Sequence, residues 1–416
     1  MSSEPVAPPE PVPGPAPRTP HPLSIPHFRN LWLGATVSLL GDQFYLVALL
    51  WLIPQATGSK LAVGTVLMTA AVPRAVFMLV GGAVIDRFSA RRVLMTTAAV
   101  RAVLVAGVAA LVWWRQIQMW ELYALTFAFG VADAFSFPAM PALIPTLVQP
   151  EQLQPANALL QSSTLTSQLA GAFPAGWLIA LWGVASALFF DAVSFLGVIV
   201  ALLKLPDPPR APAHTRSSML HSIAEGLRAV RHDPPLFAMM SIFATINLCF
   251  SGPIYVGLSS LASFRFGSAK TLGELLSCLS GGMLVGVLLG GRVRQPRKRG
   301  LQFIVMSLLA GLELIGIGLV SRFGAIAALL ALMGLGVGFV NVQFSTWIQR
   351  RVERALLGRV MSVLMFSAVG LVPVSYAAAG EIAQHWSVPA LFIGAGALLA
   401  VASAVALTGR AARDVD

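Results

Sequence analysis

Apolar runs of about 20 residues follow one another along this chain and constrain its fold more than any other feature. A helix of that length crosses the ~30 Å hydrocarbon core of a bilayer, and a single helix satisfies its own backbone groups in lipid. Only 11% of the residues are charged, against about a quarter in a soluble protein. The sequence therefore predicts an all-α membrane protein with twelve spans, at 31–54, 62–85, 93–113, 120–144, 157–182, 184–204, 236–262, 270–291, 301–321, 323–348, 360–383 and 388–408.

The basic residues lie mainly on one side of the predicted membrane. Of 28 lysines and arginines, 21 fall in the termini and in the loops on the side of the termini, and five fall opposite. Basic residues mark the cytoplasmic side of membrane proteins, so both termini are predicted to be cytoplasmic. The net charge of +11 is thus explained by topology and does not indicate a nucleic-acid partner.

Proline-rich segments divide the chain. Ten prolines fall within residues 1–26, and a weak internal repeat with an offset of 209 residues aligns Phe28 with Phe237. The helical spacing of apolar residues between 219 and 230 predicts an amphipathic helix on the inner leaflet. The predicted organisation is a disordered cytoplasmic tail (1–27), a six-helix half (28–204), a cytoplasmic linker (205–235), a second six-helix half (236–408) and a short tail (409–416).

Enzyme chemistry finds little support in the sequence. All six histidines lie in predicted tails or loops, and Cys249 and Cys278 lie in spans, where small apolar residues pack. No span carries a metal-ligand cluster, and the chain has no Gly-x-x-x-x-Gly-Lys-Ser/Thr segment for a nucleotide. We therefore expect no metal, no cofactor and no catalytic residues, and an intramembrane enzyme is the least favoured interpretation.

The loop from Gly82 to Arg92 carries the sharpest motif, Gly-x-x-x-Asp-Arg followed by further arginines. It resembles the loop between the second and third spans of the major facilitator superfamily of secondary transporters. The resemblance covers residues 28 to about 408. It is nearest to the branch that exports drugs and siderophores, which includes macrolide and enterobactin exporters. Further matching segments are Ser38–Gln43, Pro73-Arg74, Pro138–Pro145, Glu151–Ala158, Glu225–Arg228 and Gly358–Ser362.

That resemblance implies the twelve-helix major facilitator fold in the bacterial plasma membrane. It implies a secondary active transporter that exports small amphipathic compounds by alternating access, with protons as the coupling ion, and that works as a monomer. Its partners would be a small-molecule substrate, protons and the lipid bilayer. An uncoupled carrier, an importer and a lipid-type flippase of the same fold remain alternatives.

The resemblance also implies a cytoplasmic gate in the Gly82–Arg92 loop. Asp86 would hold the start of the span near Gly358, since a carboxylate is stabilised at a helix N-terminus. Gly82, Arg87 and Arg91 match the remaining motif positions, whereas the loop departs from the family pattern in having Ser89-Ala90.

The antiporter motif of the fifth span matches only in part. Gly171 and Gly176 are present, but the proline, Pro174, does not directly follow a glycine. Small residues that let helices approach closely explain the same pattern. The fourth span also lacks the arginine of proton-coupled drug exporters.

Charged residues within spans are the candidates for proton coupling, because charges at that depth are costly and mark pathways or ion pairs. Asp42 and Arg74 lie at similar predicted depths and are expected to pair, either structurally or in transport. Asp133 has no evident cation within the spans at its own depth, so we expect it to take up a proton most readily. Arg101 is expected to snorkel or to meet a loop carboxylate, and Asp191 to be hydrated near the outer end.

A further set of side chains is predicted to line the cavity, or, for the amides, to bond between helices: Phe135, Phe137, Met140, Asn247, Asn341 and Gln343. Glu313 lies within the ninth span, which is peripheral in the family fold.

Overall fold

The computed structural model describes residues 21–205, 219–292, 299–352 and 354–409. Side chains at 79–87, 219–224, 226, 299, 349–350, 354–358 and 362 are not described. The described part is helical with no strand, which confirms the all-α prediction. Most of both predicted tails and residues 206–218 of the linker lie outside the described residues.

Six long helices form the first half of the chain. Each predicted span in this half coincides with one helix. They are α1 Pro26–Thr57, α2 Lys60–Phe88, α3 Ala90–Trp113, α4 Met119–Leu143, α5 Leu153–Trp182 and α6 Val184–Leu203.

The second half begins with a short helix in the predicted linker, followed by six spans. The seventh span consists of α8, α9 and two π-helical segments, and the eleventh consists of α13 and α14. The elements are α7 Met219–His232, α8 Pro234–Gly252, α9 Leu258–Leu261, α10 Ala269–Arg292, α11 Arg299–Leu319, α12 Phe323–Arg351, α13 Arg354–Gly370, α14 Val372–His385 and α15 Val388–Thr408.

Eleven spans of the described chain are long and apolar enough to cross a membrane. The remaining helix, α5, has 30 residues, which at 1.5 Å per residue is ample length. Its first turns carry polar residues, and it packs against α1, α6 and α10. It completes a twelve-helix arrangement.

We call the side on which α1 ends the distal side, and the side on which it begins the basal side. The distal turns use glycine where the chain reverses: Gly58 after α1 and Gly267 before α10 have φ of +64° and +63°. Glycine adopts this left-handed region without the steric cost of a Cβ. The distal loops are consequently short.

The two halves meet closely at the distal side, backbone against backbone. A Cβ on Gly64 of α2 would lie 2.4 Å from the carbonyl oxygen of Tyr376 in α14, and Gly380 packs against the same turn. A Cβ on Gly273 of α10 would lie 2.4 Å from Ala172 O and 3.1 Å from Gly176 Cα in α5. Small residues allow such close approach between membrane helices. We call these two contacts the distal glycine contacts.

Polar and cationic contacts surround the distal glycine contacts. Ser259 Oγ donates a hydrogen bond to Leu50 O of α1. The backbone N–H of Lys60 donates to Gln384 Oε1 at 2.9 Å. The Lys270 ammonium lies 4.0 Å from the centre of the Trp177 ring, a cation–π contact between α10 and α5. The distal side is therefore closed by contacts between the halves.

On the basal side, α7 packs against α13. Glu225 of α7 pairs with Arg359 Nε of α13 at 3.0 Å. Asp233, between α7 and α8, caps α8 by accepting from Leu236 N at 3.2 Å. It also accepts two hydrogen bonds of 2.9 Å from Arg351 at the end of α12.

Candidate functional site

Arg101 lies at the centre of a charged cluster inside the first six helices. Its side chain, on α3, is only 11% exposed. Nη2 donates to Asp42 Oδ1 of α1, and Nη1 lies 3.7 Å from Asp133 Oδ1 of α4. One guanidinium thus bridges two carboxylates from different helices.

Arg74 supplies the second cation of the cluster. Its Nε lies 3.2 Å from Asp133 Oδ2, although the N–H is not aligned for a hydrogen bond. Arg74 is 41% exposed and Asp133 22% exposed, although both lie well inside their helices. This part of the cluster is thus more accessible than Arg101.

Two phenylalanine rings enclose the Arg101 guanidinium. Its Cζ lies 4.5 Å from the centre of the Phe129 ring of α4 and 4.6 Å from that of Phe195 of α6. Phe129 stacks in turn on Tyr45 of α1, with ring centres 4.5 Å apart. Aromatic faces attract a cation, and the attraction is stronger where water is excluded. The two rings thereby restrict the position of the guanidinium.

Asp191 of α6 lies beside this cluster and is fully buried, with no exposed surface. A Cβ on Gly41 of α1 would lie 2.6 Å from Asp191 Oδ1, so Asp191 is level with the neighbouring Asp42. The prediction that Asp191 is hydrated near the outer end is wrong, because α1 extends well beyond the level at which α6 begins.

Three pairing expectations from the sequence are also wrong. Arg101, not Arg74, pairs with Asp42. Asp133 does have cations at its own depth, namely Arg74 and Arg101. Arg101 therefore neither snorkels nor meets a loop carboxylate. The reason is geometric: residue counts give the depth of a side chain but not the direction in which it leaves the helix axis.

The Gly82–Arg92 loop is described only in part. The side chains of Asp86 and Arg87 lie outside the described residues. The backbone of this segment, including Gly82, forms the last turns of α2. Arg91 donates from Nε to Leu202 O at 2.8 Å, which ties the start of α3 to the end of α6. Ser89 caps α3 by accepting from Arg92 N, with φ of 62°.

The predicted cavity residues do not form one group. Phe137 lies 5.8 Å from the Arg74 guanidinium, and Phe135 lies 6.2 Å from Phe77 and lines a basal cavity of about 380 Å³. Met140 is half-buried against the core. Asn247 bonds to Phe243 O of its own helix, Gln343 bonds across to Gly290 O at 3.0 Å, and Asn341 is exposed.

Comparison with known proteins fits this architecture. The family model described as "Major Facilitator Superfamily" matches residues 31–375. The chain belongs to the major facilitator superfamily. It is therefore a multi-pass membrane transporter of small molecules and not an enzyme.

Its sequence relatives within the major facilitator superfamily include named efflux proteins. Macrolide efflux protein A of Streptococcus pyogenes is 24% identical over 342 residues, covering 81% of this chain and 84% of that protein. Multidrug efflux pump Tap of Mycobacterium tuberculosis is 26% identical over 393 residues, covering 90% and 91%.

Solved structures of other major facilitator proteins share the fold. The nucleoside transporter NupG superimposes with a TM-score of 0.69 at 12% identity, over 91% of this chain and 98% of that one. A bacterial homologue of the iron transporter ferroportin, in an inward-facing state, gives a TM-score of 0.68 at 17% identity, over 91% and 98%. At these identities the likeness concerns the fold alone.

Proposed function

We propose that this major facilitator protein exports small amphipathic compounds by alternating access, in exchange for protons. The observation that carries the proposal is the charged cluster of Asp42, Arg74, Arg101 and Asp133. Four charges inside the spans are costly, and such groups in transporters mark ion pathways. The names of the efflux relatives support export, and the half-exposed aromatic Phe137 beside Arg74 suits an apolar substrate.

Alternating access requires one side to close while the other opens. The distal glycine contacts close one side in this structure, so we propose that substrate enters the described conformation from the basal side. We propose that the distal side is extracellular, as the positive-inside distribution predicts, and that the membrane is the bacterial plasma membrane. The domain limits at 28–204 and 236–408 are part of this proposal.

Proton coupling is assigned to Asp133 and Asp42, with Arg74 and Arg101 as their cations. Asp133 contacts both arginines and is 22% exposed, so it is placed to exchange an arginine for a proton during the cycle. Replacing a cation by a proton keeps the buried charge balanced, which avoids the penalty of an unpaired carboxylate.

The decisive experiment is transport into inverted membrane vesicles with and without a pH gradient. The probes are erythromycin, ethidium and a siderophore. We expect the gradient to drive accumulation of at least one probe. Asp133→Asn should abolish that accumulation and leave downhill exchange of the same probe intact.

The outcomes separate the alternatives. If the wild type takes up the probes equally with and without the pH gradient, proton coupling is contradicted and an uncoupled carrier is favoured. Accumulation by Asp133→Asn equal to that of the wild type shows that the proton site lies elsewhere. Glu381→Gln removes an exposed carboxyl near the distal end of α14 and serves as the control.

The cytoplasmic gate remains a proposal based on the motif. Asp86 would stabilise the basally closed state at the start of α13, so Asp86→Asn should impair transport while the protein still reaches the membrane. Unchanged transport by a normally expressed Asp86→Asn protein contradicts the role. Labelling of a cysteine at position 215 from outside intact cells would contradict the proposed orientation.

A further inference from the structure

Asp191 lies beside the charged cluster and, unlike Asp42 and Asp133, contacts no arginine among the described residues. It is fully buried between α6 and α1, where Gly41 leaves room for its carboxyl group and for Ser194. Phe195, one turn further along α6, lies against the Arg101 guanidinium. Asp191 and Phe195 are four residues apart and therefore share a helix face. Asp191 thus lies on the face of α6 that is directed towards Arg101.

The hydrogen bonds of Asp191 are few. Ser194 Oγ donates to the backbone oxygen of Asp191 at 2.7 Å, and Asp191 Oδ1 lies 3.4 Å from the same hydroxyl. Oδ2 is buried and has no hydrogen-bond partner among the described residues. An ionised carboxylate leaves up to four acceptor positions to satisfy, and burying it unpaired is costly.

The charged and titratable groups that face Asp191 come from two neighbouring helices. Asp42 and Tyr45 belong to α1, and Arg101 belongs to α3. The third packed helix, α5, contains no charged residue. Among the described residues, Asp191 and the charged cluster together therefore comprise three carboxyls and two guanidiniums, since Arg74 faces Asp133. With all groups ionised, the cluster would carry an uncompensated negative charge.

We infer that Asp191 is a proton-binding site and that it is protonated in the distally closed conformation. Asp42 and Asp133 each contact an arginine, so the proton that balances the cluster resides on the remaining carboxyl. Placed on Oδ1, it can be donated to Ser194 Oγ, whose own hydrogen is directed to the backbone oxygen. Oδ2 is then a neutral carbonyl oxygen, which is less costly to leave unpaired than a carboxylate oxygen.

A second unpartnered atom indicates how the site releases its proton. Arg101 Nε is buried and has no hydrogen-bond partner among the described residues, as is also true of Asp191 Oδ2. The two are a donor and an acceptor. In the proposed release step, a rotation of the Arg101 side chain directs the guanidinium towards Asp191 and away from Asp42. The proton then leaves Asp191 and binds the freed Asp42 carboxylate, so the charge of the cluster does not change.

This inference deepens the proposed proton coupling and rests on it only for the release step. The protonation itself is tested without transport, by infrared spectroscopy of the purified protein at neutral pH. The difference spectrum between wild type and Asp191→Asn should contain the C=O band of one protonated carboxyl, which shifts in deuterium oxide. Ser194→Ala removes the neighbouring hydroxyl and should shift the band without abolishing it.

The release step is tested in the inverted vesicles with erythromycin and ethidium. Asp191→Asn should lose accumulation driven by the pH gradient and keep downhill exchange, whereas the exposed-carboxyl variant Glu381→Gln should behave as the wild type does. No Asp191 band in the wild type overturns the inference, whereas full accumulation by Asp191→Asn overturns the release step. A wild type that ignores the gradient but shows the band contradicts the proposed function while Asp191 remains a proton site. If Asp191→Asn does not fold, the shift of the C=O band in Ser194→Ala tests the protonation by itself: a shifted band supports it, and an unchanged spectrum overturns it.

Discussion

Arg101 is a charge held almost entirely by side chains. Two carboxylates contact it, and the centres of two aromatic rings lie 4.5 and 4.6 Å from its Cζ. Lysine has neither the planar fork nor the ability to stack, so it would not reproduce this arrangement. The guanidinium therefore determines both the charge and the packing at the centre of α1, α3, α4 and α6.

Arg101→Met should destabilise the protein by about 3 kcal/mol, the lower end of the cost of breaking a buried ion pair, because it leaves the partly buried Asp42 carboxylate without its cation. Thermal unfolding in detergent measures the effect. The double variant Asp42→Asn/Arg101→Met removes both charges and should recover part of the loss. A single variant as stable as the wild type would contradict the assigned pairing.

Gly41→Ala should destabilise by about 1–3 kcal/mol, the usual cost of overpacking. The added methyl would lie 2.2 Å from Ser194 Oγ and 2.6 Å from Asp191 Oδ1. Gly107 of α3 has nothing within 4 Å of the corresponding position, so Gly107→Ala is the matched control. Equal melting temperatures for the two variants would show that α1 and α6 can separate at this level.

The sequence predicts which charged residues lie inside the membrane but not which of them form pairs. Asp42, Arg74 and Asp133 all lie inside apolar runs. In the structure, Arg101 contacts Asp42 and Asp133, and Arg74 contacts Asp133. The pairing depends on how each helix is rotated, which residue spacing does not reveal when the apolar residues surround the whole helix.

Among the elements, the junction of α7 and α8 joins three helices through one carboxylate. Partial burial alone would raise the pKa of Asp233, but hydrogen bonds from Arg351 and from the Leu236 N–H lower its pKa below the ordinary value. Because the folded pKa is lowered, the stabilisation is complete above the ordinary aspartate pKa and is lost only as the pH falls through the folded value. The junction therefore stays charged at physiological pH.

Asp233→Ala should cost about 1 kcal/mol through loss of the helix cap. Asp233→Asn keeps a cap acceptor and loses only a partly exposed ion pair, so it should cost less. Urea or thermal unfolding at neutral pH and at pH near 3 checks both points. The difference between wild type and Asp233→Asn should shrink in acid, and a constant difference would contradict the ion-pair contribution.

The seventh span shows what hydropathy cannot predict within an element. The run of apolar residues was predicted as one helix over 236–262, but two π-helical segments, Pro253–Gly257 and Ala262–Phe266, flank α9. These segments place Ser259 against Leu50 O of the other half and let the Phe392 ring approach Gly257. π-Segments depend on hydrogen-bond register and often occur at functional positions, and average hydropathy does not report register.

The distal side closes only because the backbones of the two halves can approach each other at the distal glycine contacts. Any side chain at Gly64 or Gly273 must be accommodated by separating the halves, because the nearest atoms are backbone carbonyls. Twelve spans could be counted from the sequence, but which side is closed depends on contacts more than 100 residues apart, such as that between Gly64 and Gly380.

Gly64→Leu should hold the distal ends apart and shift the population towards the distally open state. Spin labels at positions 116 and 322, in distal loops of the two halves, report the separation by pulsed electron paramagnetic resonance. We expect a longer mean distance in Gly64→Leu than in Gly107→Leu, whose position has free space. Identical distance distributions would mean that closure does not require the glycine.

The contact of Lys270 with Trp177 gives this closure an optical consequence. The ammonium lies 4.0 Å from the indole ring when the halves meet, and separation of α5 from α10 removes it. A nearby positive charge shifts the electronic transition of an indole. With the other eight of the nine tryptophans replaced, the emission wavelength of Trp177 becomes an intrinsic gauge of the distal gate, and the same protein with Lys270→Met should lose that response. The molecule thus carries, at its closing edge, a chromophore through which its cycle can be followed in real time without a label.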